Sequence, residues 1–259
     1  MGSLLEILRG LLTVLCTMLF LSCPTISSQR ILLVAKGFLL LVTSHACHGQ
    51  VDGPAEREIA AQLNRASVEI LKSDMGDLTG DGFLEYAAAV DTDIILDGQK
   101  ERMVVIFRWN EDRWLLWTSS SSSVLGSEEG GVLGDPFQDL GIQDQKLWIA
   151  HSGGSNWRWS MEDAYRREGE DLVLSEHRSS WGSFCEVLER WEIDLTEAFA
   201  TCDIEREECP EGFGDNSHLD SIPMTETWAI PKGLRITIEH RNDSIVRFVS
   251  PIHGFETTL

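Results

Sequence analysis

The sequence predicts a mainly β protein of antiparallel meanders, with blade-like units short of a closed propeller and one N-terminal helix. Three observations carry this. Short apolar runs recur from residue 84 to residue 250, each closed by a turn rich in Gly, Asp, Asn or Glu. A single segment, residues 54–72, has the three- and four-residue apolar period of a helix instead. The glycine-rich residues 77–85 open directly onto the apolar residues 86–90, as a turn feeding a strand does.

In chain order, residues 4–22 and 31–43 are two apolar runs separated by a polar bridge ending in Arg30. The first is broken by Glu6 and Arg9, which leaves too short an apolar length for a comfortable membrane span. The second has Arg30 in front and the small residues Ser44 and Ala46 behind, the pattern of a secretory leader cleaved before Cys47. Residues 1–46 are therefore read as a leader, and 47–259 as one mainly β domain. The doubled run also implies a true start near residue 30. A lipid on Cys47 is the alternative anchor, although Ser44 and His45 depart from the usual lipoprotein box.

The helical segment repeats Ile59, Leu63, Ala66 and Ile70, with Pro54 suited to a first turn. Its expected role is to cover a sheet. In the loop that follows, Asp77, Thr79, Asp81 and Glu85 put oxygen-bearing side chains at alternate or near-alternate positions, and Gly80 and Gly82 supply the positive φ that a tight curl demands. The Phe83 carbonyl falls where a backbone ligand would sit. An EF-hand is excluded, because its twelfth position, counted from Asp77, is Ala88 rather than Glu. These residues point to calcium, and the other reading is a Gly/Asp turn that holds no ion.

Residues 76–86, beginning Gly76-Asp77-Leu78-Thr79-Gly80-Asp81-Gly82, resemble the calcium loop of FG-GAP or VCBS-type repeats of propellers and exported bacterial proteins. That resemblance implies a calcium loop leading into a strand. Thr79 stands where the family usually has Asn or Asp, and Glu85 where it usually has Asp. More loosely, residues 130–137 and 153–159 look like a group of exported envelope proteins carrying one such repeat and no settled activity.

Further along, residues 103–109 and 113–118 read as a hairpin around Asn110-Glu111-Asp112, and the serines at 119–123 as a flexible loop. Strands are expected at 146–151, 157–165, 171–177, 187–194 and 198–203, with a closing hairpin of 234–240 and 244–250. Its turn contains the formal sequon Asn242-Asp243-Ser244. On a strand, Trp157 and Trp159 share a face. With Asn156 and the flanking Gly153 and Gly154 they form a candidate stacking surface for a sugar or peptide, or else they fill the core.

Catalysis has weaker support. His151-Ser152-Gly153-Gly154-Ser155 lacks the Gly-x-Ser-x-Gly elbow, and neither His151 nor His177 has a marked Asp partner in sequence. Glu186, Glu189 and Glu192 near Trp181 and Trp191 are the place for a glycosidase pair. A hydrolase acting on an envelope polymer is accordingly the alternative function.

The whole chain has 42 acidic and 21 basic side chains among 259 residues, a net charge of −21. Such a surface repels phosphate backbones and anionic headgroups, so nucleic-acid binding and polybasic membrane docking are excluded as expectations. Without the leader, four of the six cysteines remain: Cys47, Cys185, Cys202 and Cys209. Cys202 and Cys209 bracket a short acidic loop that a disulfide would close. Zinc is disfavoured, since no Cys-x-x-Cys occurs. The resulting expectation is an exported, non-catalytic, calcium-binding β protein of the envelope or secreted space, bound to a protein or glycan partner.

Overall fold

The computed structural model describes residues 28–35, 38–45, 52–183, 187–205, 224–241 and 246–259. The chain divides into two units, Met1–Asp52 and Gly53–Leu259. In the first, β1 (Ser28–Ala35) and β2 (Phe38–His45) pair antiparallel, with Ile31 opposite Val42. Ala46 and Cys47, around the expected cleavage point, lie outside the described residues.

In the second unit the predicted helix divides into two elements. Helix α1 covers only Glu56–Leu63. Glu58 reaches back to accept the Ala55 amide at 3.1 Å, and Glu56 and Glu58 suit the positive end of the helix dipole. Asn64 then turns left-handed (φ 55°), its amide donating to the Ala60 and Ala61 carbonyls. Beyond it the expected helix gives way to strand β3 (Val68–Gly76), where Ile70 pairs with Val90. The β-branched Val68 and Ile70 favour the sheet, and the Asn64 cap prevents the helix from reaching them.

Strands β3, β4 (Glu85–Leu96), β5 (Gln99–Asn110) and β6 (Arg113–Ser120) form a four-stranded antiparallel meander in sequence order. Its middle hairpin turns at Asp97-Gly98, both with positive φ, as a two-residue turn requires. Strands β7 (Phe137–Gln143), β8 (Lys146–Gly154), β9 (Trp157–Glu168), β10 (Asp171–Ser183), β11 (Leu188–Asp194), β12 (Phe199–Glu205) and β13 (Met224–Ala229) form a seven-stranded meander, again in sequence order. Among the described residues the fold is thus mainly β and antiparallel, with one α-helix and open, blade-like sheets, as the sequence predicts.

Inward-facing residues of the two meanders meet in one core. The smaller sheet supplies Ala87, Ala89, Val104 and Ile106, and the larger one Leu147, Ile149, Tyr165 and Ile193. The other face of the four-stranded sheet packs Ala88, Val90, Val105 and Phe107 against Ile59 and Ala60 of α1. That sheet is covered on both sides, which is why its strand β4 reads as an unbroken apolar run rather than an alternating one. Each large side chain removed from water here contributes about 1.5–3 kcal/mol.

Two further expectations are corrected. The serine run is not a loose loop: Ser119 and Ser120 end β6, and buried Ser120 donates to the Ile238 carbonyl at 2.6 Å. Among the described residues, 234–240 and 246–250 do not pair as a hairpin. Residues Ile238–His240 form a 3-10 turn, the Leu174 amide donates to the Ile236 carbonyl, and β14 (Arg247–Val249) pairs with β15 (Glu256–Thr258). Strands β7 and β13 escaped the sequence reading because Gln, Asp and Gly in one, and Thr and Glu in the other, dilute the apolar alternation.

Candidate functional site

The curl at residues 77–85 forms as predicted, with Gly80 at φ 76° and Gly82 at φ 87°. Its carboxylates face the loop's own amides. Asp77 accepts the Gly80 amide at 2.7 Å and the Gly82 amide at 3.0 Å, while Asp81 accepts the Phe83 amide at 2.9 Å. Glu85 is buried; one oxygen accepts the amides of Leu78 (2.8 Å) and Thr79 (3.2 Å), and the other faces the Thr79 hydroxyl at 3.4 Å. Burial raises the Glu85 pKa, against the two amide bonds that favour its charged form. The Phe83 ring is exposed. Among the described residues, no three His, Cys, Asp or Glu side chains are grouped so as to hold a metal ion. As placed, the carboxylates of Asp77, Asp81 and Glu85 close the loop on its own amides.

The tryptophan prediction leads to one end of the seven-stranded sheet. Trp157 and Trp159 do share a face, the one that deeper along the strands lines the core. Trp159 stands opposite Trp181 on β10, and Trp157 stacks on Trp181 with ring centroids 4.2 Å apart and planes 17° from parallel. Trp157 is 39% exposed and Trp181 49%. Asn156 is exposed in the turn between β8 and β9.

The glycines beside these rings serve packing. A Cβ on Gly153 would lie 2.6 Å from Trp159 Cζ2 and 2.8 Å from the Gly130 carbonyl oxygen. The Gly154 amide donates to that carbonyl at 2.8 Å, and the Gly154 carbonyl accepts the Leu133 amide at 3.3 Å. Val132 and Leu133, carried on this strap, are exposed as well. The sequence reading set Trp181 beside the glycosidase candidates and missed its place at this end. Counting back from the Gly169-Glu170 turn places Trp181 opposite Arg158, and the one-residue shift between Leu174 and Glu176 is what brings it opposite Trp159.

The hydrolase candidates separate. Ser152 faces outward on β8, whereas His151 faces inward and is buried. His151 Nε2 accepts the Leu125 amide at 3.2 Å. Burial, with help from Arg102 and Arg241 against Asp163 and Asp135, pushes its pKa down to about 4. His177 does have an acid partner: its Nδ1 lies 2.6 Å from Asp163 Oδ1. Arg241 Nε donates to Asp163 Oδ2 at 2.6 Å. Burial opposes ionisation of Asp163, but His177 and Arg241 outweigh it and hold the carboxyl well below the usual range. All three are buried, which makes the cluster an internal tie between β9, β10 and the chain after the 3-10 turn.

Glu189 is bonded to the indole N–H of Trp191, while Glu192 joins Arg178 on the other face; Glu186 lies outside the described residues. Cys202 is buried, and burial first, then Glu189, Glu226 and Asp203, push its thiol up to about 12. It makes no disulfide among the described residues, and its expected partner Cys209 lies outside them.

No family model, no curated protein and no solved structure matches the chain. The likeness to FG-GAP loops is therefore carried by residues 76–86 alone. Among the described residues, no helix is long and apolar enough to cross a membrane.

Proposed function

We propose that this is an exported, non-catalytic binding module that engages an envelope or extracellular protein or glycan through the tryptophan end of its seven-stranded sheet. The observation that carries it is the Trp157–Trp181 stack, two indoles held nearly parallel while both remain exposed. Exposed large apolar groups in one place oppose solubility unless something covers them, and indoles combine a flat face with an N–H donor. Trp159 stands opposite Trp181, Asn156 directly precedes Trp157, and the exposed Val132 and Leu133 lie on the strap bonded to the Gly154 backbone.

Export is supported by the sequence of residues 31–46 and is tested by N-terminal sequencing of secreted material, where a product beginning at Met1 overturns it. Calcium at the loop is the second part of the reading. It rests on the sequence pattern and on the curl, with Asp77, Thr79, Asp81 and the Phe83 carbonyl as ligands; Glu85 joins them only if it leaves the Leu78 and Thr79 amides.

The binding end is tested by intrinsic fluorescence titrated with soluble glycans and peptides, comparing wild type with Trp157→Ala and Trp181→Ala. Quenching that saturates in wild type and disappears in both variants is expected. A response unchanged in the variants refutes this end of the sheet as the contact.

A further inference from the structure

The outward face of the seven-stranded sheet is informative when followed across its strands rather than along them. Ser152, Ser160, Ser180, Arg190, Asp203 and Thr225 stand directly opposite one another in turn on β8 through β13. They form one unbroken polar row, with a functional group about every 4.8 Å, the spacing of strands. Beside it runs a second row in which Arg178 lies 3.3 Å from Glu162 on one side and from Glu192 on the other.

These rows floor a trough of about 640 Å³, and a second hollow of about 490 Å³ adjoins it across Ala150, Glu162 and Arg178. Both volumes are in the range of small-ligand sites. The serines are short, and Ser160 and Ser180 share a hydrogen bond of 2.7 Å. This keeps the floor low between the longer side chains.

The chemistry of the lining narrows the ligand. Three carboxylates (Glu162, Glu192, Asp203) face two guanidinium groups (Arg178, Arg190) in the trough. That is near balance in a chain of net −21. An anion would meet the carboxylates, and a cationic peptide would have to displace Arg178 from the acids it already joins. A chain of hydroxyl groups suits this floor, because each can donate to a carboxylate, accept from a guanidinium or exchange with a serine.

We propose that the trough binds a neutral oligosaccharide lying across the strands, with Arg178 and Arg190 donating to its hydroxyls and Glu162, Glu192 and Asp203 accepting from them. Side chains alternate along a strand, so this face is opposite the one that carries Trp157 and Trp181. The site is therefore independent of the proposed tryptophan contact.

The test is calorimetry of the full chain against neutral hexasaccharides (cellohexaose, chitohexaose, maltohexaose and mannohexaose), with a hexameric oligogalacturonate and hexalysine as charged probes. At least one neutral probe is expected to bind, and to lose tenfold or more in affinity with Ser180→Trp, which fills the trough, and with Arg190→Ala. Far-UV circular dichroism and melting confirm that these surface variants fold. Binding of no neutral probe, preference for either charged probe, or undiminished binding by folded Ser180→Trp each overturns the proposal.

Discussion

His151 couples a loop to a sheet through a single ring nitrogen. To accept the Leu125 amide its Nε2 must be unprotonated, and its folded pKa of about 4 keeps it so well below neutrality. An unfolded histidine titrates near 6.5, so between those values the unfolded chain holds more protons than the folded one. Stability from this residue is thus complete above pH 6.5 and is lost as pH falls toward 4, by up to about 3 kcal/mol for a shift of this size. The measurement is urea unfolding at several pH values for wild type and His151→Gln, whose amide oxygen can still accept from Leu125. The difference between the two should change steeply from pH 6.5 to 4.5 and be flat above 7. A difference independent of pH would exclude His151 as the titrating group. Asp163 acts in the same direction, since a depressed carboxyl contributes above its unfolded pKa and fails in acid, but at lower pH.

At the scale of elements, glycine decides how the tryptophan end is built. Gly153 lets the Trp159 indole lie on the β8 backbone while the strap at Gly130 closes from the other side, and neither neighbour leaves room for a methyl group. Gly153→Ala is expected to cost about 1–3 kcal/mol, as overpacking does. It should also alter the near-ultraviolet dichroism of the stacked indoles. An unchanged spectrum and melting point would mean the strap is too loosely held to define this end.

The sequence made the aromatic residues and the glycines visible there, along with the shared face of Trp157 and Trp159. It did not disclose that Trp181 joins them, because that pairing depends on a register shift after Leu174. The helix shows the same limit. Its start and apolar period were readable, but its end depends on Asn64 turning left-handed, and the period continued through Ile70 because a strand's apolar residues happened to keep step with it. The two polar rows of the outward face were hidden altogether, since Ser152, Ser180 and Asp203 are neighbours only through pairing. The Asp77 curl was legible because turn chemistry is local, while the direction in which its carboxylates point was not.

For the whole molecule, charge determines how the calcium question must be put. A chain of net −21 repels itself, and any divalent salt relieves some of that repulsion, so a rise in melting temperature on adding calcium does not by itself locate a site. Magnesium at equal concentration is the needed reference, because it screens equally but resists the flexible, oxygen-rich shell that calcium accepts. If the loop holds calcium, wild type melts higher in calcium than in magnesium or chelator, and Asp81→Ala removes that excess. Glu85→Gln then separates two arrangements. Its amide oxygen can take over the Leu78 and Thr79 bonds, and its amide nitrogen can donate to the Thr79 hydroxyl, so the closed loop itself should be preserved. A calcium response that survives Glu85→Gln assigns the ion to Asp77, Thr79, Asp81 and the Phe83 carbonyl, whereas one that vanishes shows that Glu85 must turn toward the metal. Equal melting in calcium and magnesium for wild type, Asp81→Ala and Glu85→Gln alike would leave the loop as a turn closed by its own amides, with the ion acting only on the field of the whole protein.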